Sequence, residues 1–354
     1  MNRILLTGAT GFIGGHIAWS LLQHGYEVIA LTRPNSLMTW SHDSLTVRTG
    51  DIRNAASVRA ALDGCDAIIH AAANYALWSR DPSAIYDVNV QGTRNVLGAA
   101  IEAGVERIVH TSTVGTVRFR RDAPATETDL AGPQGMAGHY KRSKYEAERI
   151  ALRLARNGAP IVIVNPTAPV GTADAKPTPT GRIIVDFLRG RLPAFVDTGL
   201  NFVGVGDVAE GHVLALEKGT PGERYLLGNA DGNLTLAELL IRLSKITGQP
   251  APRWRIPHAL ARLMGRLDGL IEGELLRHEP RIPMDGVRMA HHKMWADPSK
   301  AIRDLGMPQH SVDEALAQAV AWFVQHSYAP APPSYPKGGG HGRARRSRRQ
   351  ERVR

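Results

Sequence analysis

Arg3–Gly14, RILLTGATGFIG, is the stretch on which the fold turns. Its apolar run, Ile4–Leu6, is broken by Gly8 after too few residues for a secretory or membrane segment, so it reads as a buried strand. Gly8 permits a tight turn, Gly11 lets backbone approach a pyrophosphate, and Gly14 lets the next helix pack close to the strand. That helix would then aim its first N–H groups at an anionic bridge. Glycine-rich turns are common; the strand–turn–helix setting is what makes this one a dinucleotide loop.

Outward from the loop, short apolar runs alternate with helical spacing. Strands are predicted at 3–6, 27–31, 46–48, 67–70, 107–111 and 161–165, with helices such as 13–24 and 89–103 between them. Gly25, Gly64, Gly104 and Gly158 stand where each helix should stop. The alternation predicts an α/β fold, a Rossmann doubly wound parallel sheet covered by helices on both faces.

After Pro166 the text changes. Pro166, Pro169, Pro177 and Pro179 exclude regular helix and predict a long loop. Helices are expected at 181–189, 207–218, 234–247, 257–277, 297–305 and 312–326, with a strand at 224–227. The 257–277 helix carries Leu260, Leu263, Met264, Leu267, Leu270 and Ile271 on one stripe. The expected organisation is a dinucleotide-binding domain over 1–166, with segments returning at about 201–230. A smaller, mostly helical substrate domain takes 167–200 and 231–327, and a disordered basic tail takes 328–354.

The net charge of +10 belongs mostly to that tail, where eight basic residues from Lys337 to Arg354 face only Glu351. The body is nearly balanced, and nucleic acid is not an expected partner. The tail is expected to be an inert extension, with weak peripheral contact to an anionic membrane as the alternative. A single cysteine, Cys65, excludes an internal disulfide and points to a reducing, cytoplasmic setting. No His/Asp/Glu spacing suggests a metal site.

HYKRSKYEAE, residues 139–148, places Tyr140 and Lys144 on one face of a helix. A tyrosine hydroxyl of pKa ~10 is a poor acid or base at neutral pH. A neighbouring ammonium favours the phenolate and makes proton transfer useful, and the same lysine can hold a nicotinamide ribose. Thr111, Ser112 and Thr113 close a strand at its C-terminal end, where open α/β sheets bind ligands. The second predicted strand ends at Thr32-Arg33 rather than at an acid for the ribose hydroxyls. Arg33 can pair with a 2′-phosphate, which favours NADP over NAD; the alternative is that it faces solvent.

Taken together, TGATGFIG, Asp51-Ile52, HAAA at 70–73, Asn89 and YKRSK resemble the extended branch of the short-chain dehydrogenase/reductase superfamily over residues 1–327. The resemblance implies that Gly8, Gly11, Phe12, Ile13, Gly14, Asp51, Ile52, Ala71, Ala72, Ala73 and Asn89 line the cofactor. Thr111, Ser112, Tyr140, Lys144, Pro166 and Thr167 would complete that lining. It implies a catalytic Thr113–Tyr140–Lys144 set, with Thr113 in place of the common serine and Ser112 as the alternate. Tyr75 and Trp78, in NYALWSRDP, are candidate substrate contacts or plain packing residues.

Within the family, NYALWSRDP and TSTVGTV resemble dihydroflavonol reductases. HYKRSK, the 165–190 stretch and MDGVRMAHHKM look like hopanoid-associated sugar epimerases. The resemblance implies a small-molecule substrate (a sugar, nucleotide sugar or ketone, hopanoid-linked in the epimerase reading) and a homodimer. A non-catalytic dinucleotide sensor would need the glycine loop but neither Tyr140 nor Lys144.

Overall fold

Strand β1 (Arg3–Thr7) lies between β2 (Glu27–Thr32) and β4 (Ala67–His70), both parallel to it. Beyond β2 comes β3 (Leu45–Thr49). Beyond β4 come β5 (Arg107–Thr111), β6 (Ile161–Pro166) and β10 (Arg224–Leu227), giving one seven-stranded parallel sheet ordered β10-β6-β5-β4-β1-β2-β3. The computed structural model describes residues 1–36, 38–76, 78–136, 138–268, 288 and 292–333.

Alternate residues of each central strand enter separate cores, as a sheet covered on both faces requires. Ile4 and Leu6 pack with Val109, Val162 and Val164 under α1 (Phe12–Gln23) and α7 (Val205–Lys218). Leu5, Ile68, Ile108 and Ile163 pack on the opposite side with α2 (Ala55–Leu62), α4 (Gly92–Glu102) and α5 (Gly138–Arg156). Edge strand β3 is largely exposed, and a single turn, α3 (Ser83–Tyr86), runs through a π-type turn at Asp87–Gln91 into α4. Gly25, Gly64, Gly104 and Gly158 all take left-handed φ after their helices, so the predicted stops coincide with C-caps.

The second unit holds more strand than the sequence suggests. Strands β7 (Ala168–Val170), β9 (Gly199–Gly204), β11 (Asn233–Thr235) and β13 (Lys293–Met294) form a small sheet; β8 (Ala194–Val196) pairs with β12 (Trp254–Ile256). Segments this short show no period, and Pro169 is tolerated because β7 pairs on one side only, with β9. Residues 201–204, expected in the first unit, pair within this sheet; the main unit resumes with α7 and β10. Helices α6 (Pro179–Leu188), α8 (Leu236–Thr247) and α10 (Val312–Gln325) close a core around Phe187, Phe202, Leu243, Leu316 and Phe323. Thr178 caps α6 with Pro179 at its first turn, and Thr235 with Glu238 forms a capping box on α8.

One expectation needs correction. The tail does not detach at 328: the Tyr328 hydroxyl donates to the Ala175 carbonyl at 2.6 Å and Ala329 is buried. Residues 334–354 lie outside the described ones. Of the predicted 257–277 helix, α9 (His258–Asp268) is described, and the Leu260, Leu263 and Met264 of its stripe are exposed. The Leu267 side chain, Leu270, Ile271 and most of MDGVRMAHHKM also fall outside the described residues.

Three histidines are sealed in or beside the main sheet. His70 pairs with the Thr7 and Thr93 hydroxyls at 2.8 and 3.0 Å, and His212 with the Thr111 hydroxyl at 3.0 Å. His110 lies tilted against His70, ring centroids 5.5 Å apart, with neither ring nitrogen partnered among the described residues. Burial, then the charge on Lys144, pushes His70 down to about 3 and His110 well below the ordinary range; burial alone pushes His212 down to about 4. The folded chain thus keeps them neutral while the unfolded chain protonates them below about 6.5. Stability should therefore fall as pH drops from about 6.5 toward the folded values, by about 1.4 kcal/mol per pH unit per histidine. Melting temperature followed from neutral to mildly acid pH should show this loss, and His110→Leu should lose less; equal losses would clear His110 of the effect.

Candidate active site

The chain runs from β1 outward to β3, then crosses back to β4, so the C-terminal ends of β1 and β4 border the switch-point crevice. Here Gly8, at φ +81°, lies so close to β4's exit that a side chain on it would stand 2.7 Å from the Ala72 nitrogen. The Gly11 N–H closes the turn on the Gly8 carbonyl at 2.9 Å, and a methyl on Gly14 would meet that same oxygen at 2.0 Å. Helix α1 starts at Gly11 with no capping side chain and no acid in its first turn. Backbone N–H groups are thus left facing a cradle without side chains, which fits a pyrophosphate. Phe12 packs edge-on against His16, and Ile13 rests on the core.

At the next strand ends, Thr32 is buried and Arg33 exposed. Asp51 is held bidentately by Arg53, at 2.7 Å for the shorter contact, and that bond, with a smaller contribution from Arg33, keeps its carboxyl below the usual range. Arg53 escaped the sequence reading because it belongs to no pattern. Ile52 is a core side chain against Gly92, and its carbonyl accepts from Asn95 at 2.9 Å.

Helix α5 brings Tyr140 and Lys144 to the ends of β5 and β6. The Lys144 ammonium is buried and donates to the Thr111 carbonyl at 2.7 Å. Burial pulls it down to about 8, opposed by the charge of Glu148. Tyr140 is half-buried; burial pushes its phenol up to about 12, and a hydrogen bond from Thr113 acts in the opposite direction. Thr113, whose hydroxyl accepts from the Gly115 N–H at 3.1 Å, thus lies near the Tyr140 side chain at the end of β5.

Ser112 does not reach this point. Its hydroxyl donates to the buried Glu148 carboxylate, which also accepts from Thr116 and Asn165 at 2.7 Å each and faces Arg224 at 3.2 Å. Asn165 and Thr116 further hold the Thr113 carbonyl, at 3.0 and 2.8 Å. Glu148 therefore fixes the strand end that carries Thr113. The one signal for it in the sequence was its place four residues after Lys144, on the same helical face.

Other expected site residues make contacts within the protein. The Asn89 amide is taken up by the Asn74 backbone and the Ser143 hydroxyl, so it pins the loop after β4 onto α5. Thr167 donates to Asn201 at 3.1 Å, beside the buried Pro166. Ala71 and Ala73 lie half-buried along the β4 exit. Tyr75 is exposed and donates to the Lys176 carbonyl at 3.2 Å, across the cleft from its own loop; Trp78 is half-buried. His139 pairs with Tyr86, off the catalytic face. No cluster able to hold a metal ion occurs among the described residues.

Replacing Glu148 by Gln removes the charge that keeps Lys144 protonated, so the alkaline limb of the pH–rate profile should move to lower pH. It also strands Arg224, at a cost of about 3–5 kcal/mol in stability. A lower rate with the limb unmoved would show that Glu148 acts through packing alone.

Residues 4–228 match the family model described as NAD dependent epimerase/dehydratase family. A Synechocystis sp. protein carrying the name dihydroflavonol 4-reductase is 43% identical over 91% of this chain and 95% of its own length. The sterol demethylase protein B of Methylococcus capsulatus is 36% identical over 90% of this chain and 97% of its own. The solved structure of a nucleoside-diphosphate-sugar epimerase from Pseudomonas aeruginosa superposes with a TM-score of 0.77 at 27% identity, covering 93% of this chain and 99% of its own. This chain belongs to the NAD dependent epimerase/dehydratase family and is an NAD(P)-dependent epimerase/reductase of the extended short-chain type.

Proposed function

We propose that this enzyme is an NADPH-dependent reductase that converts a ketone on a polycyclic substrate to the secondary alcohol. The observation that carries the reading is the end of β2. There Thr32 and Arg33 replace the acid that would receive ribose hydroxyls, and the nearby Asp51 is already neutralised by Arg53. Two guanidiniums around one satisfied carboxylate suit a 2′-phosphate. Relatives named for a dihydroflavonol and a sterol support a fused-ring substrate.

A bound nicotinamide supplies the hydride for the carbonyl carbon. Tyr140, a neutral phenol in the free chain, is set to give the proton to the carbonyl oxygen, while Thr113 donates a hydrogen bond to the same oxygen. Lys144, cationic below about 8, stabilises the phenolate that remains. Glycines 8, 11 and 14 with the α1 N-terminus would hold the pyrophosphate, and Lys144 would also bond the ribose.

Reduction should weaken as pH rises through about 8, because the Lys144 ammonium is lost there and not near its ordinary 10.5. Tyr140→Phe should lower kcat by about 10²–10⁴-fold, and undiminished turnover would remove this mechanism. Arg33→Ala should weaken NADP binding about tenfold and leave NAD unchanged; equal NADP preference in both proteins would defeat the cofactor assignment. Nucleotide that purifies with the protein and never exchanges would favour sugar epimerisation, in which the hydride is returned to the substrate.

A further inference from the structure

We propose that α9 and the adjoining strand β12 form a docking surface for an anionic lipid bilayer. The helix is inverted relative to an ordinary surface helix. Ala261 and Gly265 turn inward, whereas Leu260, Leu263 and Met264, at i, i+3 and i+4, are 47%, 54% and 39% exposed. Trp254, on β12 four residues before the helix, is 76% exposed, the most of any large apolar side chain in the described chain. Several neighbouring large apolar groups left in water mark a binding face.

The charges around the face select its occupant. Arg262 and Arg266, on the same helix, are exposed, whereas Arg255 points to the side of β12 opposite Trp254 and pairs with Asp197. Leucines and methionine on one side, arginines on the other and a tryptophan at the margin are what a helix lying in the plane of a bilayer requires. Anionic headgroups would meet the arginines while the apolar stripe enters the acyl boundary. A second copy of the chain docked two-fold on the same face would set these arginines against their own counterparts. No helix among the described residues is long and apolar enough to cross a membrane, so the contact is one of lying on the surface. This inference is independent of the reaction proposed above.

The full chain would be sedimented with vesicles of phosphatidylcholine alone and of equal parts phosphatidylglycerol and phosphatidylcholine. Binding is expected to the mixed vesicles only, with a blue shift of tryptophan emission that Trp254→Phe reduces. The double variant Leu263→Glu/Met264→Glu changes exposed positions, so circular dichroism and Tm should match the parent, while vesicle partitioning falls at least about tenfold. The double variant keeps the basic tail. If it partitions like the parent, charge elsewhere is responsible and the proposal is overturned. Failure of the parent to bind mixed vesicles overturns it too, as does a loss of dimer mass in the variant with vesicle binding unchanged.

Discussion

Glu148 is the constraint on which the active end of this molecule depends. Its carboxylate is buried under helix α5 and gathers groups from three strand ends: Ser112 and Thr116 beyond β5, Asn165 on β6 and Arg224 on β10. A buried charge is tolerated only when paired and hydrogen-bonded, so these partners cannot drift independently. The strand ends are thereby locked to the helix that carries Tyr140 and Lys144. The Thr113 carbonyl is itself held by Asn165 and Thr116. The groups proposed to react are few, and the polar scaffold behind them is larger than they are.

The same economy governs the cofactor side, with the opposite means. There, closeness is obtained by removing side chains. Gly8 and Gly14 let β1, the β4 exit and helix α1 approach to distances that any Cβ would forbid. Asn89 then ties the loop after β4 to Ser143 on α5, which connects the cofactor half of the crevice to the catalytic half. A dinucleotide laid across the switch point would touch both halves, and the protein has already registered them to each other.

The local motifs were legible because each is a short-range physical requirement. A glycine is needed where a turn or close approach excludes Cβ, and residues four apart share a helical face. Glycine stops, alternating strands and the Tyr140–Lys144 pair could therefore be read directly. The internal bonds of the Asn89 and Ser112 side chains could not be read, because a motif marks a position without saying which neighbour its polar group meets. The strands of the small sheet, two to six residues long, lacked any period to find. The stripe on α9 was visible, but its direction was not: periodicity shows that a helix has an apolar face and is silent about what lies opposite.

Sequence alone therefore determined the alternation of strands and helices, the glycine turn after β1 and the placing of Tyr140 and Lys144 on one helical face, since each of these is a pattern within a short run of chain. Only the tertiary structure decided that Glu148 and Arg224 form the buried anchor, that Arg53 joins Arg33 around Asp51, and that the α9 stripe faces outward. Those outcomes depend on which distant segments share a boundary, and long-range packing sets that in three dimensions with no trace in residue spacing.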